Sequence, residues 1–436
     1  MCIRDSPTDV TNHKMSLSSK NTPLNVLTFS ALVDSSSGKV SSYDVRRGKV
    51  GNIRILNYNQ VNEMFLDRED IGRHKVSDAT AQDDLHLLAS LASVINRRRV
   101  HIGRALNAVD AHSDLSIYPL PLPILADKTL DRPQFYTGFP EIRLRFADHT
   151  NTERLGTFDQ IPGGITSETM VSEMMILAGR VAGSFGLDHN IPLPYRVQPE
   201  PSDTELAIID EFKNPETGAM AMSKLISKDV FLPTGNSSIK PGIHYALGVR
   251  PMPQNDINSD AFYRGGYVRV TSPLRRFADL ACHWQLKAKL SGENHPFNFE
   301  TMSQLLVQFD QMDNWVKQIE RASSRYWLWV YINRTLSKKQ NYDFEGRSDY
   351  TTFFTPEEQA LLEPIPAVQN IMDVRFNSET LQSTVRISLP QLGGLPVDCE
   401  WPNGKTPPRK DEIKRVKINR AESAGLKRTI VCRQVK

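Results

Sequence analysis

The chain has 436 residues, of which 39% are hydrophobic and 24% charged, proportions that are ordinary for a soluble globular protein. A chain of this length predicts two or three domains. The formal net charge of +3 is only weakly basic, so any affinity for nucleic acid must come from a local groove and not from bulk charge.

Cysteine usage and hydropathy exclude further classes of protein. The four cysteines lie far apart in the sequence with no Cys-x-x-Cys pair, which argues against structural zinc and a disulfide framework and fits a reducing compartment. No window approaches the ~20 consecutive apolar residues of a membrane helix. We therefore predict a protein without a membrane partner.

The first part of the chain predicts a leader followed by strands. Residues 1–20 are polar and begin with Met-Cys-Ile-Arg-Asp-Ser, which we interpret as a cloning or adapter scar with a disordered leader behind it. Residues 26–33, a run from Val40 through Tyr43, and residues 50–56 are rich in β-formers. Together they predict a three-stranded antiparallel meander.

A helix is predicted after an acidic connection. Because the carboxylates of residues 66–84 are spread over polar sequence, we interpret this segment as a solvated connection and not as a metal site. The following helix has apolar residues at helical spacing and ends at three arginines, residues 97–99. These arginines complement the helix dipole as a solvated end, with RNA contact as the alternative.

A second helix is predicted over residues 166–185, with apolar positions nearly all round and hence buried. Glu173 lies among its apolar residues, and a buried carboxylate is costly without a partner. One interpretation is a structural ion pair with Arg196, and the other is a functional role.

Further helices and short strands follow. The pattern predicts helices at residues 203–212 and 301–334, and a strand at 244–249. Strands are expected at residues 371–376, 384–389, 397–401 and 413–418. The long helix is expected to bury a stripe that includes Met312, Val316 and Ile319. Short strands at this spacing predict a small barrel of OB type.

Residues 267–283, called the signature segment below, carry the densest pattern. Val268 and Val270 alternate with polar residues as in a strand, and Ser272-Pro273 then opens a helix predicted from about residue 274. Arg275 and Arg276 would fall in its first turn, where free backbone amides favour an anion. Two cations at that place predict a phosphate-binding site.

The signature segment resembles that of the RNase II family, the RNB domain. The matching positions are an aromatic residue, the run Thr-Ser-Pro-Leu-Arg-Arg-Phe, and an Asp and a His on the following helix: Tyr267, residues 271–277, Asp279 and His283. The resemblance implies an α+β fold, an RNB catalytic domain with mixed or antiparallel sheet and long helices, followed by a small OB-like β-barrel. Residues 21–345 would form the RNB domain without its N-terminal part, and residues 364–436 the barrel.

The resemblance also implies roles for individual residues. Arg275 and Arg276 would hold phosphates of single-stranded RNA, with Tyr267, Thr271 and Ser272 as neighbouring substrate contacts. Tyr58 would lie by the scissile nucleotide, the alternative being a half-buried tyrosine at a strand end. The helix carrying Glu173 and the stretch carrying Arg196 resemble family segments that line the catalytic chamber. Glu320 would face the same chamber, and a solvated helix face is its alternative.

One expected feature is missing from the sequence. The family holds magnesium with a run of aspartates upstream of the first strand of the meander, and no such run precedes Val26, since Asp5 and Asp9 are isolated. No metal ligand is therefore predicted here. We interpret the chain as an N-terminally truncated 3′-to-5′ exoribonuclease, inactive alone, with magnesium in the intact enzyme.

The predicted function is processive hydrolysis of single-stranded RNA to nucleoside monophosphates in RNA degradation. The alternatives are an inactive RNB-type RNA-binding regulator and a subunit of an RNA-degrading assembly, possibly beside an RNA helicase. A polar insertion at residues 250–266, and Arg269 where many relatives carry histidine, point to a divergent branch most similar to the fungal mitochondrial members. A mitochondrial location is therefore expected.

Overall fold

The computed structural model describes residues 17, 23–51, 53–65, 79–109, 114–118, 141–145, 165–216, 218–221, 225, 230, 232–250, 265–368, 374–377, 382–389, 392, 395–401, 413–424 and 427–435. They divide into two compact units. Unit 1 is Met1–Val109, Glu153–Met220 and Phe231–Trp315, and unit 2 is Asp110–Thr152, Ala221–Val230 and Val316–Lys436. The predicted leader, residues 1–20, lies outside the described residues apart from residue 17.

Unit 1 begins with a hairpin of β1 (Leu24–Val33) and β2 (Val40–Val50), paired antiparallel. The first two predicted strands are confirmed, and the burial of β1 nearly alternates along the strand. The third predicted strand is wrong. β2 itself extends to Val50, and the described residues between 51 and 57 pair with no described strand. Asn57 instead caps the helix that follows, because its side chain accepts from Gln60 N at 2.9 Å.

Five helices belong wholly to unit 1 among the residues described. They are α1 (Tyr58–Phe65), α2 (Ala79–His101), α3 (Ser167–Asp188), α4 (Asp203–Phe212) and α5 (Phe277–Ser291). The predicted helices at residues 166–185 and 203–212 are confirmed, and Thr166 and Ser202 cap them as hydroxyl N-caps. The hairpin packs on α3 through a core that includes Val45, Val181 and Phe185.

Short strand pairs complete the described sheet structure before the long helix. The strands are β3 (Asn107–Val109), β4 (Asp114–Tyr118), β5 (Glu141–Arg145), β6 (Tyr195–Val197), β7 (Ala219–Ala221) and β8 (Asn236–Ser238), paired β3–β7, β4–β5 and β6–β8. The strand predicted over residues 244–249 is wrong. His244 and Val249 form an isolated antiparallel bridge around a turn, where Gly248 adopts φ +62°.

The long helix is α6 (Phe299–Phe344), in which the division between the units falls after Trp315. Its apolar stripe is buried near both ends, at Phe309 and Ile332 for example. The predicted core stripe is wrong in the middle: Met312, Val316 and Ile319 are 40%, 38% and 68% exposed. Helical periodicity identified an apolar face but could not show that no described element packs against it.

Unit 2 contains α7 (Tyr350–Phe353), α8 (Pro356–Leu362) and the strands β9 (Ile365–Val368), β10 (Val374–Asn377), β11 (Gln382–Leu389), β12 (Leu395–Trp401), β13 (Ile413–Ala424) and β14 (Lys427–Gln434). Their order is β10-β11-β12-β14-β13-β9, and β9 also pairs with β11. The sheet thus curls back on itself, which confirms the α+β class with an OB-like end. β9 and β14 were not predicted.

Among the described helices, α3 is long and apolar enough to qualify as a membrane span by length and composition. The prediction that no window approaches a membrane helix is therefore wrong for α3 by length and composition. More than half of that window is buried inside the protein, and the core helices of globular proteins pass the same test.

Candidate functional site

The strand-like start of the signature segment is anchored on α3. Val268 N donates to Gly179 O, and Tyr267 O accepts from Arg196 N. Val268 and Val270 are 0% and 2% exposed, as their alternation predicted. The segment is thereby fixed to a buried helix before it reaches the two arginines.

The arginines lie before the helix and not in its first turn. Arg275 N and Arg276 N both donate to Ser272 O, which closes a turn, and α5 begins only at Phe277. Arg276 is the N-cap residue, with extended backbone. The predicted helix start was therefore about three residues too early, because proline-compatible backbone at Pro273 opens a turn as readily as a helix.

Asp279 explains the shape of this turn. It is fully buried in the first turn of α5, and its Oδ2 accepts from Ser272 N at 2.9 Å and from Arg276 Nη2 at 2.7 Å. One carboxylate therefore ties both ends of the turn to the helix N-terminus, where the dipole favours negative charge. Its Oδ1 is buried without a hydrogen-bond partner among the described residues.

The two arginines consequently differ in availability. Arg276 is half-buried and forms an ion pair with Asp279, whereas Arg275 is exposed and forms no ion pair with a described residue. A free guanidinium fork beside backbone amides is suited to a phosphate. Thr271 is exposed beside them, with its Oγ1 3.5 Å from Arg276 Nη2.

Tyr267 is held from two sides. A Cβ atom on Gly179 would lie 2.3 Å from Tyr267 Cε2, so only glycine allows this approach of the ring to α3. The ring of His244 packs edge-on to that of Tyr267, with centroids 5.9 Å apart. Burial raises the pKa of Tyr267 above its ordinary value, so the phenol stays protonated near neutrality.

Two carboxylates of α6 neutralise arginines in unit 1. Arg196 Nη1 donates to Asp310 Oδ1 at 2.7 Å, and Arg269 Nη1 donates to Asp313 Oδ2 at 2.7 Å. Burial, followed by repulsion from Arg269, lowers the pKa of Arg196. Burial, and after it the positive charges of Arg196 and Arg269, lower the pKa of His244 to about 4.

Glu173 has a partner other than the predicted one. Its carboxylate accepts from Arg99 Nε at 2.8 Å and from Asn96 at 2.8 Å, and Arg99 Nη2 closes a bidentate ion pair. Glu173 and Arg99 are 1% and 2% exposed. The Glu173–Arg196 pairing was therefore wrong, and so was the solvated helix end at Arg99, which turns inward because α3 supplies a buried carboxylate.

Tyr58 and Glu320 lie on helix surfaces. Tyr58 is the first residue of α1 and is 49% exposed, and its carbonyl accepts from Ser167 Oγ at 3.2 Å. The alternative interpretation, a half-buried tyrosine at a strand end, is therefore wrong. Glu320 is exposed on the part of α6 that belongs to unit 2 and forms no ion pair with a described residue.

The sequence analysis missed the partners of these charges. Asp310 and Asp313 are three apart on α6, a spacing that shows a shared face but not which arginines it meets. Asp279 carried a signal, because it belongs to the signature pattern, but no role was assigned to it. The sequence contains no signal that distinguishes Arg99 and Asn96 from solvated residues.

The described residues do not fit a magnesium site. Within the described ranges, no group of three or more His, Cys, Asp or Glu side chains is close enough to hold a metal ion. The carboxylates of Asp279, Asp310 and Asp313, which contact arginines of this region, each already accept a hydrogen bond from one of those arginines.

A family model of the RNB domain matches residues 7–292, about two thirds of the chain. The chain belongs to the RNB family. The match includes the signature segment, α3 and Arg196, so the predicted RNB resemblance is confirmed over these residues, whereas Glu320 lies outside the matched range.

Relatives of this RNB chain are ribonucleases by name. It is 34% identical to an uncharacterised ribonuclease of Synechocystis over 39% of the chain and 23% of that protein. It is 23% identical to the mitochondrial exoribonuclease II of Schizosaccharomyces pombe over 82% of the chain and 36% of that protein. The latter confirms the predicted similarity to fungal mitochondrial members. The chain thus spans less than two fifths of either relative.

The RNB fold is also seen in solved structures. RNase R of Mycoplasma genitalium, in complex with ribose-methylated single-stranded RNA, superposes with a TM-score of 0.61 at 15% identity, covering 98% of this chain and 60% of that one. At this identity the likeness concerns the fold, and it extends through the C-terminal β-rich part that the RNB model does not match.

Proposed function

We propose that this RNB chain acts in 3′-to-5′ exoribonucleolytic degradation of single-stranded RNA, releasing nucleoside monophosphates processively. The observation that carries the proposal is the signature turn, in which Asp279 holds Ser272 and Arg276 while Arg275 stays exposed and forms no ion pair with a described residue. A turn built to present one free guanidinium beside a fixed one matches the demands of a phosphodiester. RNB family membership makes RNA the expected phosphodiester.

In this proposal Arg275 and Arg276 bind phosphates, with Tyr267, Thr271 and Ser272 around them. Tyr58, exposed at the start of α1, orders the terminal nucleotide. Glu173 forms an ion pair with Arg99, and Arg196 forms one with Asp310. Their role in RNA binding is therefore indirect: they hold α3 and the backbone around Arg196 in position. Glu320 stays a predicted chamber residue.

Magnesium is the cofactor that we propose for hydrolysis, as two-metal phosphodiester chemistry requires. The described carboxylates do not form its ligand set, so the ligands have to come from other residues. A mitochondrial location follows from the names of the fungal relatives. An RNA helicase partner stays a prediction.

The second candidate function is RNA binding without hydrolysis. It is supported by the same signature turn, which can hold a phosphodiester without a metal ion. Both functions require Arg275 and Arg276 to contact phosphate. They differ in whether RNA is shortened in the presence of magnesium.

The experiment is degradation of a 5′-labelled single-stranded RNA with magnesium or EDTA, using this chain and a version extended upstream. We expect magnesium-dependent laddering to short 5′ products from at least one of them. Arg275→Ala with Arg276→Ala should abolish it, whereas Lys287→Ala with Lys289→Ala, two exposed residues of α5, should not.

Two results would contradict the enzyme assignment. If neither version shortens the RNA but both bind it in an arginine-dependent way, the chain is a binding protein. If the double arginine variant binds RNA as tightly as wild type and with the same salt dependence, the signature turn is not the phosphate site, and both candidate functions fail.

A further inference from the structure

The middle of α6, residues 316–326, is exposed on all sides of the helix. Every residue from 316 to 326 is exposed, although the same helix is buried again at Leu328 and Ile332, where it packs under the curled sheet of unit 2. A helix that is open on all sides gains nothing from core packing over this stretch. Its side chains are therefore available for a ligand.

Three of these side chains form a row of cations. Lys317, Arg321 and Arg325 are four residues apart, which puts them on one face of the helix at steps of about 6 Å. None of them forms an ion pair with a described residue, and each is exposed. Like charges at this spacing destabilise a helix unless an anion lies along them.

Positive charge continues from the helix onto the sheet. The guanidinium of Arg428, on β14, lies 4.7 Å from the ring centroid of Tyr326 and 5.6 Å from that of Trp329. The three helix cations thus end next to a fourth basic side chain that two aromatic rings hold in place. All of these residues belong to unit 2.

We propose that this face of α6, with Lys317, Arg321 and Arg325, binds the phosphodiester backbone of single-stranded RNA, in addition to the contacts of Arg275 and Arg276. The row is linear and regularly spaced, and it forms no ion pair within the described part of the chain, which suits a polymer with one negative charge per nucleotide. A protein partner is the weaker candidate, because the exposed apolar side chains of Val316 and Ile319 lie on the other side of the helix. The proposal rests on the proposed function in taking RNA as the ligand.

The test is fluorescence anisotropy of a labelled single-stranded RNA over a range of salt concentrations. The variant is Lys317→Gln, Arg321→Gln and Arg325→Gln together, which keeps helix propensity almost unchanged. The matched control removes three exposed lysines of unit 1, by Lys39→Gln, Lys287→Gln and Lys289→Gln. Circular dichroism and thermal melts of both variants exclude unfolding as the cause.

We expect the α6 variant to bind at least tenfold more weakly at low salt, with a slope of log affinity against log salt shallower by about 2 for three lost phosphate contacts. The control should change affinity little. If the α6 variant and the control behave alike while wild type binds RNA, the inference is wrong and the proposed function survives. If wild type itself has no affinity for RNA, both are wrong.

Discussion

Two groups of charges in this molecule are built in opposite ways. In the interior of unit 1, Arg99 with Glu173 and Arg196 with Asp310 are ion pairs whose arginines are almost fully buried. In the signature turn and on the middle of α6, Arg275 and Arg321 are exposed and pair with no described carboxylate. Both groups come from a chain whose formal net charge is only +3.

The difference separates charges that hold the fold from charges that meet a ligand. A buried ion pair is costly to break because the remaining partner is left without solvent. An exposed cation costs almost nothing to remove but attracts phosphate over a distance set by salt. Variants of buried and of exposed charges test this difference, and their expected effects on stability decrease from Glu173 to Arg275.

The largest effect is expected for Glu173→Ala. It leaves Arg99 buried without its carboxylate, so the free energy of unfolding should fall by about 3–5 kcal/mol. Urea denaturation measures this, and Glu168→Ala, an exposed residue in the first turn of α3, is the control with at most ~1 kcal/mol. An equal loss of unfolding free energy in both variants would show that the ion pair of Glu173 does not hold the fold.

Asp279→Asn is expected to come next. The amide can accept from Ser272 N or Arg276 but no longer carries the charge that pairs with the guanidinium, which should cost about 1–3 kcal/mol. RNA affinity should fall as well, because Arg276 loses its fixed orientation. Glu293→Gln, an exposed position just after α5, is the control. Unchanged RNA affinity with lowered stability would separate Asp279 from the phosphate site.

His244 should make stability depend on pH. Its folded-state pKa is lowered from 6.5 to about 4, chiefly by burial, so the unfolded chain binds the proton more readily. The contribution is complete above pH 6.5 and is lost as pH falls towards 4; the whole loss is about 3 kcal/mol, of which roughly 2 kcal/mol lies between pH 7 and pH 5. In His244→Gln the loss of stability between pH 7 and pH 5 should be smaller than in wild type. His283, whose pKa is lowered too, accounts for part of the remainder.

The smallest effect on stability is expected for Arg275→Ala. The free energy of unfolding should stay within about 0.5 kcal/mol of wild type, since the side chain is exposed and pairs with no carboxylate that the structure describes. RNA affinity should nevertheless fall, with a salt slope shallower by about 0.7. Arg276→Ala should lower both quantities because of its ion pair with Asp279. A large loss of stability in Arg275→Ala would contradict the division into two groups.

Much of the fold followed from local patterns. Periodicity and caps predicted α3, α4 and most strands of the curled sheet, and Thr166 caps α3 as expected. Predictions failed where several local conformations were equally open. Pro273 suited a turn as well as a helix, and the described residues between 51 and 56 have β-forming side chains but pair with no described strand.

The sequence by itself determined the family, the helix and strand types, and the segment that carries the phosphate-binding arginines, because these depend on residues close together in the chain. Tertiary structure decided which charges are neutralised: Glu173 meets Arg99 across 74 residues and Arg196 meets Asp310 across 114. It also decided that the middle of α6 is exposed although its pattern resembles a core stripe. The reason is physical, since the cost or gain of a charge or an apolar side chain is set by what surrounds it, and those neighbours are distant in sequence.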